Sequence, residues 1–388
     1  MTRRGLILIL ILESLLIINI ETIFANATEG SWIEKTSMPT PRSGLGVAVA
    51  NEKIYALGGA NQEGFLATNE EYNPTTNTWT AKKPMPTARS SYGIATYQNK
   101  IYCFGGYSED FSTTEANEVY NPTTDTWKTL APMPTPRLNI QANIVDQKIY
   151  IIGGDQPSKY YGSDKNEVYD PSKNTWETKT SIPTPVSTYA STVVENKIYI
   201  ITSSLTQIYN VENDSWSFGT PPACPVLYAS ARTIIDELGY EKIYVFGVDD
   251  NLPDWHFGVG DNPPYFQKTN QDFITQCYYP KTDQWILHDS IPSARFSTSV
   301  AVFDDSFFVI GGYIVDYPDE GFTLNPNILY SNMVNQYTPL ESVAQTTLTD
   351  PSDTPTPESF PTSLVVASIA IIAVIGIGIL VYFKKYRE

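Results

Sequence analysis

Four arginines follow tryptophans at a fixed spacing, and they are the first residues whose type and position suggest chemistry. Each lies ten residues after a tryptophan, and a guanidinium group can bind a carboxylate through two parallel hydrogen bonds. Together on one surface, the four would form a site for an acidic ligand. The alternative is that they bond neighbouring backbone carbonyl groups and hold the fold together. The four candidates are Arg42, Arg89, Arg137 and Arg295.

Two long segments combine aromatic with acidic side chains. They cover residues 249–272 and 313–327. Exposed aromatic rings beside carboxylates suit the recognition of sugars or peptides, although such segments can also fold back and bury their own rings. The ligand-binding candidates here are Trp255, His256, Tyr265 and Tyr313, and the residues considered for calcium are Asp249, Asp250, Asp254 and Asp261. No metal site or cofactor is predicted from them.

Composition removes several classes of function. The formal net charge is −17, whereas a protein that binds nucleic acid needs a basic face. Three cysteines are too few for a disulfide scaffold. Cys103 is predicted to be buried, and a bridge between Cys224 and Cys277 is an open alternative in an oxidising compartment. No glycine-rich phosphate cradle, zinc-spaced pair or nucleophile elbow is present.

The elements that must position these residues come from a repeat with a period near 48 residues. Five tryptophans lie seven residues after a tyrosine, with a turn between them. Further on, short β-rich runs end in paired glycines such as Gly58 and Gly59. Tyrosine and tryptophan at these positions are predicted to pack between repeats. The five tyrosine–tryptophan pairs are Tyr72 and Trp79, Tyr120 and Trp127, Tyr169 and Trp176, Tyr209 and Trp216, and Tyr278 and Trp285.

This pattern resembles the kelch repeat of β-propellers. The motifs that carry the resemblance are Asn-Pro-x-Thr-x-x-Trp, Met-Pro-Thr-x-Arg and the double glycine, and they cover Trp32 to about Leu340. The resemblance implies an all-β fold with six blades of four short strands. Since Tyr337 has no tryptophan seven residues on, whereas Trp32 has the following motif in register, residues 31–39 are predicted to form the outer strand of the last blade. That strand would close the ring and remove an open sheet edge.

Topology predicts which face binds a ligand. With strands a to d of each blade antiparallel in chain order, the d–a connections and the b–c loops share one face. The d–a connections carry the four arginines, and in kelch adaptor proteins arginines at this motif position contact acidic peptides. Blades 4 and 5 begin instead with Val186 and Val226. Variable loops on a repeated scaffold usually carry function, and residues 249–272 and 313–327 belong to the b–c loops of blades 5 and 6.

The two ends of the chain predict a membrane anchor. Residues 1–27 have the basic start, apolar run and small residues of a signal peptide, with an uncleaved anchor as the alternative. Residues 341–362 form an acidic stalk rich in Ser, Thr and Pro. An uncharged run at 363–383 is long enough to span a bilayer, and the basic tail at 384–388 is predicted to be cytoplasmic. This end resembles the C-terminal anchors of archaeal surface proteins. Asn213 is the glycosylation candidate.

The function predicted from these features is a cell-surface binding or adhesion module. Its partner would be an extracellular protein, peptide or glycan, and it would not bind nucleic acid. One alternative is a sugar-active enzyme resembling sialic acid mutarotase, which uses a carboxylate and an arginine on the channel face. Another is a structural component of a surface layer. A copper radical oxidase is disfavoured because both histidines, His256 and His288, fall in blade 5.

Overall fold

Six four-stranded antiparallel sheets form the fold of this chain. A computed structural model describes residues 30–109, 112–156, 162–236, 238–249, 273–288, 291–292, 295–316 and 327–339. Strands a to d of blade 1 are Gly46–Ala50, Lys53–Leu57, Asn69–Asn73 and Thr78–Lys82. Those of blade 2 are Gly93–Tyr97, Lys100–Phe104, Asn117–Asn121 and Thr126–Thr129. Those of blade 3 are Gln141–Val145, Lys148–Ile152, Asn166–Asp170 and Thr175–Thr178.

The last three blades repeat this order, with one change of chain order at the end. Strands a to d of blade 4 are Ala190–Val194, Lys197–Ile201, Thr206–Asn210 and Ser215–Gly219. Those of blade 5 are Val226–Ile235, Glu241–Asp249, Phe273–Tyr279 and Gln284–His288. Blade 6 consists of Ser299–Phe303, Ser306–Ile310, Val334–Thr338 and Ser31–Lys35. Three further two-stranded sheets of the described residues pair Ala60–Asn61 with Gly64–Phe65, Arg89–Ser90 with Tyr107–Ser108, and Tyr313–Asp316 with Asn327–Tyr330.

The N-terminal strand closes the ring as predicted. Ser31–Lys35 pairs antiparallel with the third strand of blade 6, and Trp32 lies opposite Tyr337, with ring centroids 4.7 Å apart. The strand is shorter than the predicted segment 31–39. Pro39 and Pro41 lack the backbone N–H that a sheet ladder needs, so the chain leaves the sheet before it reaches them.

The core lies between neighbouring blades. Second strands are buried on both faces, as in Ile54, Tyr55, Ala56 and Leu57, and they therefore read as continuous apolar runs rather than alternating ones. Outer strands alternate between partly buried and exposed residues. The tyrosines and tryptophans pack between blades as predicted, since each apolar cluster takes residues from two adjacent sheets.

A tyrosine, an acid or amide and a tryptophan latch each outer turn to the preceding blade. Asp125 accepts hydrogen bonds from the Tyr120 hydroxyl at 2.6 Å and from the backbone N–H of Lys83 at 2.9 Å. The Trp127 indole N–H donates to the carbonyl of the same Lys83 at 2.9 Å. Asp125 has a φ of 51°, in the left-handed region that Asn and Asp tolerate best. The equivalent acceptors in four further blades are Asn77, Asn174, Asp214 and Asp283.

The first strands of the six blades touch one another all the way round and enclose a channel of about 350 Å³. Cys103 is fully buried in blade 2, as predicted. All three cysteines belong to the described part of the chain and none forms a disulfide, so the bridge considered between Cys224 and Cys277 is not formed.

Several predicted segments lie outside the described residues. They are the signal peptide at 1–27, the stalk at 341–362, the membrane helix at 363–383 and the tail at 384–388. Within the part of the chain that the structure describes, no helix has the length and apolar character needed to cross a membrane.

Candidate binding face

The four predicted arginines occupy equivalent positions, but inside the blades. Arg42, Arg89 and Arg137 are 0% exposed and Arg295 is 1% exposed. The Arg42 guanidinium lies 2.6 Å from the Glu70 carboxylate and donates to the carbonyl of Ala56 at 2.9 Å. The bonds to backbone carbonyls are those of the alternative stated above. No guanidinium surface is left for a ligand in this arrangement, so the role that the geometry supports is to hold each blade together.

A buried carboxylate partner was not foreseen for these arginines. Glu118 lies 2.9 Å from Arg89, and Glu167 lies 2.6 Å from Arg137. Thr135, from the Pro-Thr-x-Arg motif, donates to the other oxygen of Glu167 at 2.6 Å. Burial lowers the pKa of Arg42 and of Arg137, and the paired glutamates oppose that shift. The sequence did hold the signal, because each glutamate lies two residues before a repeated tyrosine.

Blades 4 and 5 replace both members of the pair together. Val186 stands in the arginine position of blade 4, and Gln207 stands in the glutamate position. The Gln207 side chain accepts from the backbone N–H of Thr184 at 2.9 Å and donates to the carbonyl of the same residue at 3.0 Å. In blade 5, Gln276 forms the same two bonds with Cys224. Where the motif arginine is missing in blades 4 and 5, a buried glutamine amide that bonds the backbone therefore replaces the ion pair of the other blades.

The channel has one polar side and one apolar side. Hydroxyl and amide groups of blades 3 to 5 line the polar side, where the Asn143 amide donates to Ser191 at 2.8 Å and Thr192 bonds Thr233 at 2.9 Å. Blades 1, 2 and 6 contribute Thr96 and otherwise aliphatic side chains, and blades 3 and 4 add the apolar residues Ala142, Ile144 and Val193. The aliphatic residues of blades 1, 2 and 6 are Val47, Ala48, Val49, Ile94, Ala95, Ala301 and Val302.

Arg232 is the charged side chain in this channel lining. It lies on the first strand of blade 5, level with Ala48, Ala95 and Ala301 in the other first strands. Its guanidinium donates to the carbonyl of Ala231 at 2.7 Å. Burial lowers the pKa of Arg232 to about 10, so the group is charged at neutral pH. The repeat does not single out Arg232, although aligning the six first strands places it level with three alanines, Asn143 and Thr192.

Six residues at equivalent positions form a rim around the channel mouth on the face of the d–a connections, and backbone hydrogen bonds link four of them, from Ser297 through Gly44 and Ser91 to Asn139. Ser91 donates through its N–H to the carbonyl of Gly44 at 2.8 Å, and Asn139 donates to Ser91 at 2.7 Å. Five of the six equivalent positions have a left-handed backbone. The six rim residues are Gly44, Ser91, Asn139, Thr188, Tyr228 and Ser297.

Tyr228 differs from the other rim residues by its size and exposure. It has a φ of 49°, lies at a register shift between Leu227 and Ser230, and is 44% exposed. Its ring contacts Phe296 edge to face at 5.9 Å, and Phe296 stacks on Tyr313 at 5.2 Å. β-Bulges and strained tyrosine backbones are concentrated at functional sites. The predicted candidate Tyr313 therefore connects with an aromatic residue at the channel mouth that the sequence did not single out.

Most of the other predicted candidates cannot be placed, because they lie outside the described residues. Trp255, His256 and Tyr265 lie outside the described residues, as do Asp250, Asp254 and Asp261. Asp249 ends the second strand of blade 5. Among the described residues, no three metal-binding side chains form a group. His288 lies on the outer strand of blade 5, and Asn213 is exposed in the c–d turn of blade 4.

Two family models match the chain. The one described as "FKB95, Kelch-repeats domain" matches residues 83–241, and the one described as "Kelch motif" matches residues 41–86. Together these matches run from the d–a connection before blade 1 into blade 5. None of the curated proteins compared with the chain is similar enough to count as a match.

Proposed function

Because the chain is a kelch-repeat β-propeller, we propose that it is a cell-surface binding or adhesion module for a protein, peptide or glycan. Propellers of this kind commonly serve as interaction modules. The proposed binding face contains the channel rim, the d–a connections and the b–c loops. The observation that carries the proposal is Tyr228, a tyrosine 44% exposed with a left-handed backbone beside the channel mouth.

Tyr228 has a conformation that stability alone would not favour. A non-glycine residue in the left-handed region costs roughly 1–2 kcal/mol, and the equivalent positions of other blades hold Gly44, Ser91 and Asn139. Tyrosine supplies a large contact area with a polar end and is enriched at binding surfaces. An exposed aromatic on the rim is therefore better explained by a partner than by packing.

The proposed location rests on the ends of the sequence. Residues 1–27 have the composition of a signal peptide, and residues 364–383 carry no charge before Lys384, Lys385 and Arg387. With this arrangement the propeller would lie outside the cell on a single membrane anchor. Protease treatment of intact cells tests it, because an external propeller is digested and a cytoplasmic one is protected.

Binding is preferred over sugar catalysis for a chemical reason. Proton transfer of the mutarotase kind requires a carboxylate beside the arginine. The described residues that line the channel and its mouth include Arg232 but no Asp or Glu. Among the described lining residues, Arg232 could hold an anion, and none is a carboxylate that could accept a proton from it.

A binding screen with two matched tyrosine variants tests the proposal. The full-length chain is applied to arrays of glycans and peptides, beside Tyr228→Ser and Tyr240→Ser. Tyr240 is 41% exposed in the a–b turn of blade 5, on the opposite face. We expect a ligand whose binding is lost in Tyr228→Ser and kept in Tyr240→Ser. Binding that is lost only in Tyr240→Ser, or that is absent for every ligand, would contradict the proposed face.

A further inference from the structure

We propose that the channel contains a binding site for a small organic carboxylate, with the guanidinium of Arg232 as its anchor. The site lies under the rim of the proposed binding face, so this inference rests on the proposed function and names the chemical class of ligand. Arg232 projects from strand a of blade 5, four residues after Tyr228. The ligand's carboxylate would lie at Arg232, and the remainder of the ligand would extend toward the mouth.

Arg232 carries a positive charge that no described acid compensates. Arg42, Arg89 and Arg137 each have a glutamate within 2.9 Å. Arg232, in contrast, is shifted in pKa by burial alone, without an opposing contribution from any described acid. A partly buried cation without a counter-ion is costly. A bound anion would remove that cost.

The guanidinium of Arg232 has N–H donors that no described protein acceptor uses. An arginine has five N–H donors, and the bond to Ala231 uses one nitrogen. Arg295 has two nitrogen atoms that are buried without an acceptor, whereas no nitrogen of Arg232 is in that state. The remaining donors of Arg232 are therefore accessible from the channel, where a carboxylate could accept them side by side.

Arg232 lies between two walls of the channel. Blades 3 and 4 contribute Gln141, Asn143 and Thr192 on one side of it, and blades 6, 1 and 2 contribute Val302, Val47 and Ile94 on the other. A volume of about 350 Å³ is at the lower end of the range for small-molecule sites. A small molecule with a carboxylate and an apolar or weakly polar body would be complementary to both walls.

A ligand could reach Arg232 from the channel mouth. A depression of about 100 Å³ at the rim shares Val47, Ile94, Gln141 and Arg232 with the channel. The channel therefore continues into the mouth beside Tyr228. Among the described lining residues Arg232 is the single cation, and one guanidinium favours a monoanion over a dianion such as phosphate.

Matched pairs of acid and neutral probes test the inference. The full-length chain is titrated calorimetrically with benzoate and benzamide, and with glucuronate and glucose, and inorganic phosphate and chloride serve as further probes. We expect at least one carboxylate to bind at least tenfold more tightly than its neutral counterpart. Binding of phosphate or chloride with no organic carboxylate bound would overturn the assignment, as would equal binding of the neutral probes.

Arg232→Gln and Lys281→Gln separate the site from a general effect of charge. Both remove one positive charge from blade 5, but Lys281 is exposed in the c–d turn on the opposite face. Arg232→Gln should weaken carboxylate binding at least tenfold and raise the Tm of the unliganded chain by about 2–4 °C, because a costly charge is removed. Lys281→Gln should leave carboxylate binding unchanged, although it removes the contact of the Lys281 ammonium with the Tyr240 ring at 3.9 Å and can lower the Tm. Unchanged binding in Arg232→Gln would overturn the inference. Arg232→Ala, which introduces the residue found at the same level in blades 1, 2 and 6, provides the same comparison if the glutamine variant does not fold.

The two proposals fail in different ways. If a ligand from the screen depends on Tyr228 but binds equally well to Arg232→Gln and no carboxylate probe binds, the proposed function stands and the carboxylate site is refuted. If benzoate or glucuronate depends on Arg232 while no screened ligand depends on Tyr228, the carboxylate site stands and the proposed binding face fails.

Discussion

Arg137 and Glu167 form a buried ion pair at 2.6 Å that ties the entry of blade 3 to its third strand. The pair is 0% and 4% exposed by side chain, and Arg137 also donates to the carbonyls of Gly153 and Ile151. The pair therefore joins the d–a connection, the double glycine and the strands of one blade. Arg42 with Glu70, and Arg89 with Glu118, repeat the arrangement in blades 1 and 2.

Breaking this pair should be costly, whereas exchanging it for the pair of blade 4 should not. Arg137→Val alone leaves Glu167 as a buried, uncompensated charge and should lower the free energy of unfolding by about 3–5 kcal/mol. The double variant Arg137→Val/Glu167→Gln reproduces Val186 and Gln207 and should lie within about 1 kcal/mol of the wild type. Denaturant unfolding of the two single variants and the double variant measures the coupling. Additive losses in the double variant would show that the two side chains stabilise the blade independently.

Blade 6 has an arginine without its acid. Arg295 donates to the Asn335 amide oxygen at 2.8 Å, and burial lowers the pKa of Arg295 to about 10. Asn335→Glu should supply the missing carboxylate and raise the free energy of unfolding by about 1–2 kcal/mol, the size of a hydrogen bond to a charged group. Gln207→Glu is the control. Because Val186 occupies the arginine position of blade 4, the new carboxylate would have no cation from the motif, and the free energy of unfolding of this variant should fall. A loss of stability in both variants would contradict the role assigned to Arg295.

The double glycine is required where it meets the next blade. A Cβ on Gly105 would lie 2.6 Å from the carbonyl oxygen of Arg137, and its φ is 59°. Gly239 has a φ of 80° but nothing within 4 Å of such a Cβ. Gly239→Ala should cost only the roughly 1–2 kcal/mol of a left-handed residue, and Gly105→Ala should cost about 2 kcal/mol more because the backbone must move. Equal losses in thermal unfolding would mean that the contact with Arg137 relaxes freely.

The latch in blade 2 should make stability depend on acid. The Tyr120 hydroxyl, followed by the Lys83 backbone N–H, holds the pKa of Asp125 below its usual value. A depressed folded-state pKa gives stability that is present above the unfolded-state pKa near 4 and is lost as pH falls through the folded-state value. Asp125→Asn reproduces Asn77 and Asn174 and does not titrate. Its Tm should fall less than the wild-type Tm between pH 7 and pH 3, and an equal fall would assign the acid sensitivity to other groups.

The repeated positions are the part of the fold that could be predicted from sequence. Tyr120, Trp127, Gly105 and Gly106 recur because each blade must make the same turn, latch and exit, so periodicity identifies the six blades and the closing strand. The arginines and the glutamates each recur with the repeat, but the repeat does not reveal that Arg42 pairs with Glu70, 28 residues away. The exchange of arginine and glutamate for valine and glutamine becomes meaningful only once the contact is known.

The sequence by itself determined the six-bladed ring, because local turn chemistry and strand period repeat with the chain. The tertiary structure determined which arginine side chains are accessible to a ligand. The four arginines that share a motif are enclosed by their own blades, whereas Arg232, which belongs to no motif, lies in the channel because all six first strands meet there. Exposure at the centre of a ring depends on every blade at once, and no single repeat contains that information.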